Sequence, residues 1–328
     1  MRLIKRLLFL LLLGAALLAG AVGYYVTQPL TLPALPFEFS LKQGSSLKAV
    51  AHQLQQAGAL QNDWMFVWLV RVLGKTTQIK AGNYELETRV TPLELLNLLT
   101  SGKVTQTELS VIEGWTFGQF RGALNTNPGV RHDTALMSEA DIAQRLGIPG
   151  KQLEGLFFPD TYYFANGASD LTLLKRAYQT MQKYLQENWL ARESNLPLDS
   201  PYRALILASI VEKETGQAKD RGMIAGVFVN RLRRGMLLQT DPTVIYGMGE
   251  NFDGNLRKRD LLADTPYNTY TREGLPPTPI ALPGLASLYA ALHPTKTDAI
   301  YFVARGDGSS EFSATLEQHN RAVNKYQK

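Results

Sequence analysis

The sequence predicts an α+β protein in three parts: a single N-terminal transmembrane helix, a small α+β module and a larger mixed α+β domain. Three observations carry this. A basic hexapeptide, MRLIKR, precedes twenty residues without a charge. Residues 37–107 then alternate short strand and helix patterns. The remainder holds long apolar helical runs, loops dense in Gly, Pro, Tyr, Asn and Thr, and a β-hairpin signature near the end. A chain of 328 residues suits about two domains. At 45% hydrophobic it can bury real cores.

Composition excludes several classes. The formal charge of +5 is spread along the chain without a basic stripe or a reader motif, so no nucleic-acid partner is expected. There is no cysteine, which excludes disulfides, thiolate zinc sites, cysteine nucleophiles and a lipid-attachment cysteine. His52, His132, His293 and His319 lie far apart, none with a partner at metal-ligand spacing. No metal or other cofactor is expected. The Gly-x-Ser-x-Gly elbow is absent.

In chain order, residues 7–26 come first. As a helix they span about 30 Å, the hydrocarbon thickness. Arg2, Lys5 and Arg6 make residues 1–6 a cytoplasmic tail, and Tyr24 and Tyr25 suit the far interface. Ala19-Gly20-Ala21 resembles a signal-peptide cleavage site, but the apolar run is longer than a signal core and continues past it. The reading is an uncleaved anchor, with the body exported. Residues 27–36, TQPLTLPALP, form a linker that three prolines make stiff and extended, a spacer above the membrane.

Residues 37–41 alternate like a strand. Gly44-Ser45-Ser46 is a turn and cap for a helix over 47–57, stopped by Gly58. A second helix begins at Asp63 and ends at Gly74; residues 79–86 read as a turn and strand. Thr91 as cap, Pro92 at the first helical position and Glu94 in the first turn begin a third helix, which runs to Gly102. The order strand, helix, helix, strand resembles a LysM-like module over 37–107, a family that binds N-acetylglucosamine-containing glycans. The pattern itself shows only a small α+β fold, and a spacer that lifts the next domain off the membrane is the alternative.

The larger domain, 108–328, opens with a strand over 109–112 and a turn with a cap at 113–116. The run EGLFFPDTYYF crowds aromatics around Pro159, as core or as a wall for sugar stacking; core is the commoner use. Asp170 is expected to cap a long helix over 171–193. The chain is organised around RALILASIVEKETG, residues 203–216. Between 204 and 211 only Ser209 is polar, so this helix is buried on most sides, and Ser209 reads as a packing residue. It ends in Glu212, Lys213, Glu214, Thr215 and then Gly216, a residue that tolerates φ > 0. Burial and the negative end of the helix dipole both disfavour an ionised carboxylate there. A carboxyl kept protonated near neutral pH can act as a general acid. Glu212 and Glu214 point about 200° apart and each continues an apolar face, so the residues alone do not choose between them. They are also too close in sequence to flank a scissile bond as a glycosidase pair.

A second buried helix covers 225–232 and stops near Gly235. Asp241-Pro242 marks a turn or helix start, PYNTY (266–270) presents two hydroxyl aromatics and an amide, and 274–279 is a rigid loop. A helix over 284–292, a strand over 299–304, a turn at Gly306-Asp307-Gly308, a returning strand over 311–313 and a helix over 315–327 complete the chain.

Taken in order, LFFPDTY, ASIVEKET, FVNRLRRGMLLQTDPTVIYG, YNTY, GLPPTPIALPG and HNRAV, behind an anchor and a small module, resemble the MltG (YceG-like) endolytic murein transglycosylases from about residue 37 onward. The resemblance implies a lyase that cleaves the β-1,4 bond between N-acetylmuramic acid and N-acetylglucosamine within nascent peptidoglycan strands. The muramyl C6 hydroxyl attacks its own C1, leaving a 1,6-anhydro end and terminating the strand. The resemblance assigns catalysis to the second glutamate of EKET, Glu214. It also implies a single-pass protein of the bacterial inner membrane with periplasmic domains, peptidoglycan glycan strands as substrate, and peptidoglycan synthases of the elongation machinery as partners. Gln239, Asp241, Thr243, Tyr246, Tyr267, Asn268 and Tyr270 are expected to line the cleft, though Asp241 could only cap a helix and Asn268 only hold a turn. Two other readings stay open: a non-catalytic membrane-anchored wall-binding scaffold, and a muramidase that uses water.

Overall fold

The computed structural model describes residues 2–33, 35, 37–41, 44–86, 88–101, 107–150, 152–164 and 166–327. Two units divide the chain: Met1–Glu108 with Tyr163–Ala168, and Leu109–Tyr162 with Ser169–Lys328.

The first unit begins with helix α1 (Arg2–Thr27). Among the described residues no helix is long and apolar enough to cross a membrane. The side chains of residues 1–8, 11, 15 and 18 lie outside that description, so the expected span over 7–26 and its basic flank fall partly beyond it. Where α1 is described, Phe9, Leu10, Leu12, Leu13 and Leu17 are exposed.

The residues after α1, expected as a stiff spacer, are tied to the module. Leu30 N–H donates to Val90 O at 2.8 Å, and Gln61 Nε2 donates to Thr31 Oγ1 at 3.0 Å. Leu30 and Leu32, with Tyr25 and Val26, pack on the core of the module. The prolines stiffen this segment, but its leucines gain more by covering apolar surface than by standing in water. Pro36 lies outside the described residues.

The module is built from β1 (Phe37–Leu41), α2 (Leu47–Gln56), α3 (Asp63–Val72), β2 (Gly82–Leu86) and α4 (Pro92–Ser101). The strands pair antiparallel, with Phe37 opposite Leu86 and Leu41 opposite Gly82. Alternation sends Phe37, Phe39 and Leu41 inward, where Phe39 stacks on Tyr84 at 5.4 Å. Helix α4 starts as its sequence dictates: Glu94 N–H donates to Thr91 Oγ1 at 3.2 Å, and Thr91 N–H donates to Glu94 Oε2 at 2.8 Å. The stop expected at Gly102 lies outside the described residues.

The second unit is mostly helical. It contains β3 (Thr107–Ser110), α5 (Phe117–Thr126), β4 (Val130–Arg131), α6 (Glu139–Leu146), β5 (Thr161–Phe164), β6 (Ala168–Ser169), α7 (Asp170–Leu190), α8 (Pro201–Glu214), α9 (Ala218–Arg233), α10 (Asp241–Met248), α11 (Lys258–Leu262), α12 (Leu285–Leu292), β7 (Tyr301–Ala304), β8 (Ser310–Ser313) and α13 (Leu316–Tyr326); β3, β5 and β6 straddle the unit boundary. The described strands pair only in twos: β3 with β5, β4 with β6, and β7 with β8. The last pair is the expected hairpin, with Phe302 opposite Phe312.

Helix α8 is the centre, packed against α7, α9, α10 and α12. Every residue from 204 to 211 is buried. Ser209 is satisfied inside: its hydroxyl donates to Ile206 O at 2.7 Å and accepts from Ile280 N–H at 3.0 Å, tying the 280 loop to the helix. The LFFPDTY aromatics are core: Phe157 is fully buried, stacked on Phe117 at 5.0 Å and edge-on to Phe120 at 5.9 Å.

Two local expectations are corrected. Asp170 is not the cap of α7 but its first residue, buried, with Oδ2 accepting from Thr134 N–H at 2.9 Å and Thr134 Oγ1 at 2.7 Å. It anchors a loop that the local pattern could not reveal. Helix α8 does not end through a left-handed Gly216. Thr215 turns extended at φ −150°, and its hydroxyl accepts from Gln217 N–H at 2.9 Å.

Candidate active site

The two glutamates at the end of α8 meet different neighbours. Glu212 Oε2 accepts from Gly284 N–H at 2.9 Å, at the N-terminus of α12. The carboxyl of Glu113 approaches the same glycine so closely that a Cβ on Gly284 would overlap it. Burial, then the charge of Glu212, pushes the Glu113 carboxyl up, against Arg221. Lys213 Nζ donates to Gly114 O at 3.2 Å. Glu212 and Lys213 therefore hold the 113–115 turn and the 282–284 loop against the helix end.

Glu214 faces the other way and accepts a short hydrogen bond from Thr240 Oγ1. Burial pushes its carboxyl up from an ordinary 4.5 to about 7. The Thr240 hydroxyl opposes that rise, the charge of Asp241 adds to it, and the Arg231 guanidinium opposes it. A carboxyl balanced near neutrality can give a proton and take one back in the same turnover. Glu212 and Glu214, which the sequence leaves equivalent, thus differ in their partners: a backbone N–H for the first and a side-chain hydroxyl for the second.

The segment after α9 builds the opposite side. Gln239 is exposed and one of two described non-glycine residues with positive φ, at 49°. Its N–H donates to Thr269 O at 3.0 Å, and its Oε1 accepts from Arg231 at 3.4 Å. Asp241 is exposed at the first position of α10 and accepts from the Tyr270 hydroxyl. The cap of α10 is Thr240, not Asp241. Tyr246, five residues on and about 7.5 Å along the helix, packs edge-on to Tyr267 at 4.9 Å. The Tyr267 hydroxyl shares a 2.9 Å hydrogen bond with Thr278.

Two expected lining residues are corrected. Thr243 is fully buried: its hydroxyl donates to Thr240 O at 2.8 Å and meets Thr269 Oγ1 at 2.9 Å. Asn268 is buried, its amide donating to Leu261 O at 3.1 Å and Ala263 O at 2.6 Å while Oδ1 accepts from Tyr270 N–H at 2.8 Å. Both hold backbone behind the cleft, because each finds all its partners in the surrounding turns. Among the described residues, no group of three or more His, Asp or Glu side chains is arranged to hold a metal ion.

The profile of the YceG-like family matches residues 39–325. The chain belongs to the YceG-like family. It is 33% identical over 305 residues to a Bacillus subtilis protein named endolytic murein transglycosylase, covering 88% of this chain and 84% of that one. A Streptococcus pneumoniae protein of the same name is 29% identical over 98% of this chain, which spans 64% of that longer relative. A crystal structure of a YceG-like protein from Listeria monocytogenes aligns with a TM-score of 0.57 and 30% identity, over 87% of this chain and 97% of that one.

In this YceG-like chain three residues of the site escaped the sequence reading. Thr240 stands between two residues that were singled out; its signal was its place before Asp241-Pro242, where a helix cap belongs. Arg231 is buried, with Nε donating to Ile300 O at 2.7 Å and a second nitrogen to Leu238 O at 2.9 Å. Glu154 is buried in the aromatic run, and burial pushes its carboxyl up to about 7. It accepts from Phe117 N–H at 3.0 Å, Gly155 N–H at 3.2 Å and the Tyr246 hydroxyl at 3.2 Å. The one hint was a glutamate directly before Gly155 in an otherwise apolar stretch.

Proposed function

We propose that this chain is an endolytic peptidoglycan lytic transglycosylase that cuts the MurNAc-β-1,4-GlcNAc bond within nascent strands and leaves 1,6-anhydro-MurNAc ends. The observation that carries the reading is Glu214: one carboxyl at the end of a buried helix, raised to about 7 and hydrogen-bonded by Thr240, in a chain whose relatives are named endolytic murein transglycosylases.

Protonated Glu214 donates its proton to the glycosidic oxygen as the bond to the muramyl C1 breaks. The sugar is left oxocarbenium-like, and Glu214 as carboxylate. The carboxylate then takes the proton of the C6 hydroxyl as that oxygen bonds to C1. No water is consumed and Glu214 returns protonated. The negative charge of Asp241, aimed by Tyr270, stabilises the positive sugar and keeps Glu214 from ionising early. Gln239 is exposed at the edge of the cleft for hydrogen bonding, and the Tyr246–Tyr267 pair offers a stacking surface one part of a helix away.

The reading includes an anchor over residues 7–26, supported by the uncharged run and the unpartnered leucines of α1, with both units on the periplasmic side of the inner membrane. It also includes a LysM-like contact of the module with glycan, and work beside the synthases that extend strands. The test incubates the full chain in detergent, as wild type and as Glu214→Gln, with peptidoglycan strands and weighs the products. Anhydro ends from wild type alone are expected. Products heavier by one water would make it a hydrolase, and strand binding without products a scaffold.

A further inference from the structure

Helix α3 is apolar on both of its faces. Phe66, Val67, Leu69 and Val70 are buried in the core of the module. At about 100° per residue, Trp64, Trp68, Arg71 and Val72 fall in a sector of about 100° on the opposite side. There Trp64 is 66% exposed, Trp68 43% and Val72 60%. Arg71 is exposed among them. A water-facing helix surface is normally polar; one that is apolar all round belongs where neither side meets bulk water.

Its position says what covers that side. A cavity of about 380 Å³ is lined by Ala21, Tyr24 and Tyr25 of α1 together with Asn62 and Met65 at the start of α3. The first turn of α3 therefore stands beside the last turns of the uncharged run that ends at Val26. Tyr24, at the same level, is 68% exposed. Tryptophan and tyrosine favour the boundary between headgroups and acyl chains, and an arginine among them can pair with lipid phosphate.

We propose that the outward face of α3, Trp64, Trp68, Arg71 and Val72, lies in the headgroup–acyl boundary of a phospholipid bilayer and seats the module on the membrane. This rests on the proposed anchor and deepens it: the chain contacts the bilayer through the side of a folded module as well as through one helix. A glycan is the less suitable occupant. Sugar rings need aromatics around a concavity, whereas these lie along a convex helix with a valine and offer no carboxylate or amide to bind hydroxyls.

The test places the full chain in phosphatidylethanolamine–phosphatidylglycerol vesicles, with and without brominated acyl chains, and reads tryptophan emission. The chain has four tryptophans, so a Trp64→Phe/Trp68→Phe variant identifies the signal. Flotation and resistance to an alkaline carbonate wash report the anchor separately. The expected result is a blue-shifted emission component that bromine quenches in wild type and that is missing from the double variant. A chain that floats and resists the wash but shows no bromine-dependent loss overturns the inference and leaves the anchor standing. Quenching that persists in the double variant also overturns it. A chain that fails to float removes the anchor, and the inference with it. N-acetylglucosamine oligomers that shift the emission of the detergent-solubilised wild type, but not of the double variant, would reassign the face to glycan.

Discussion

Replacing Glu214 by glutamine separates what this residue does for catalysis from what it does to the fold. The amide keeps the size of the carboxyl and can still accept from Thr240, but it cannot deliver a proton and recover it. Loss of a general acid–base group lowers kcat by about 10²–10⁴-fold. The same change stabilises the protein, in a pH-dependent way. Below 4.5 the carboxyl is protonated in folded and unfolded chains alike and costs nothing. Between 4.5 and about 7 the unfolded chain has released the proton that the folded chain still holds, so stability falls as pH rises. At about 1.4 kcal/mol per pH unit the full loss above pH 7 is at most about 3.5 kcal/mol. In a domain of this size that is at most about 14 °C in Tm. Glutamine does not titrate. The variant should melt close to wild type at pH 4 and progressively above it toward pH 8, while the anhydro products disappear. Calorimetry at four or five pH values, beside mass spectrometry of the digests, reads both. A Tm difference that does not change with pH, or undiminished anhydro products, would refute the reasoning.

The neighbours of Glu214 should move its titration in opposite directions. Thr240→Val removes a donor that favours the carboxylate, so the alkaline limb of the kcat/KM profile should shift to higher pH, with a lower maximum. Asp241→Asn removes the negative charge that holds the proton on, so the same limb should move to lower pH. Gln239→Gly relieves a left-handed backbone at φ 49° and should stabilise by about 1 kcal/mol in denaturant melts, with KM rising if the side chain binds sugar. Gly284→Ala forces Glu113 away and disturbs the N–H that Glu212 holds, and should cost about 1–3 kcal/mol in the same melts.

Much of the fold was legible because its signals are local. The reciprocal bonds of Thr91 and Glu94, the buried run of α8 and the hairpin of β7 and β8 follow from residues within a few positions of one another. Where the sequence misled, the deciding partner was far along the chain. Asp170 looked like a cap, yet it binds Thr134, and nothing local in the proline-rich segment signals that Leu30 reaches Val90. Thr243 and Asn268 carry polar groups of the right kind for a cleft, but periodicity does not say whether such a group finds its partners in neighbouring turns or in a ligand. By itself the sequence determined that two carboxylates end a buried helix and that a loop rich in hydroxyls and tyrosines accompanies them. The tertiary structure alone gave the two carboxylates different surroundings. Glu212 and Glu214 continue equally apolar faces. One is held by the N–H of Gly284, and the other is closed in by Thr240 and Asp241 at the start of α10, and pKa depends on such burial and neighbouring charge rather than on sequence distance.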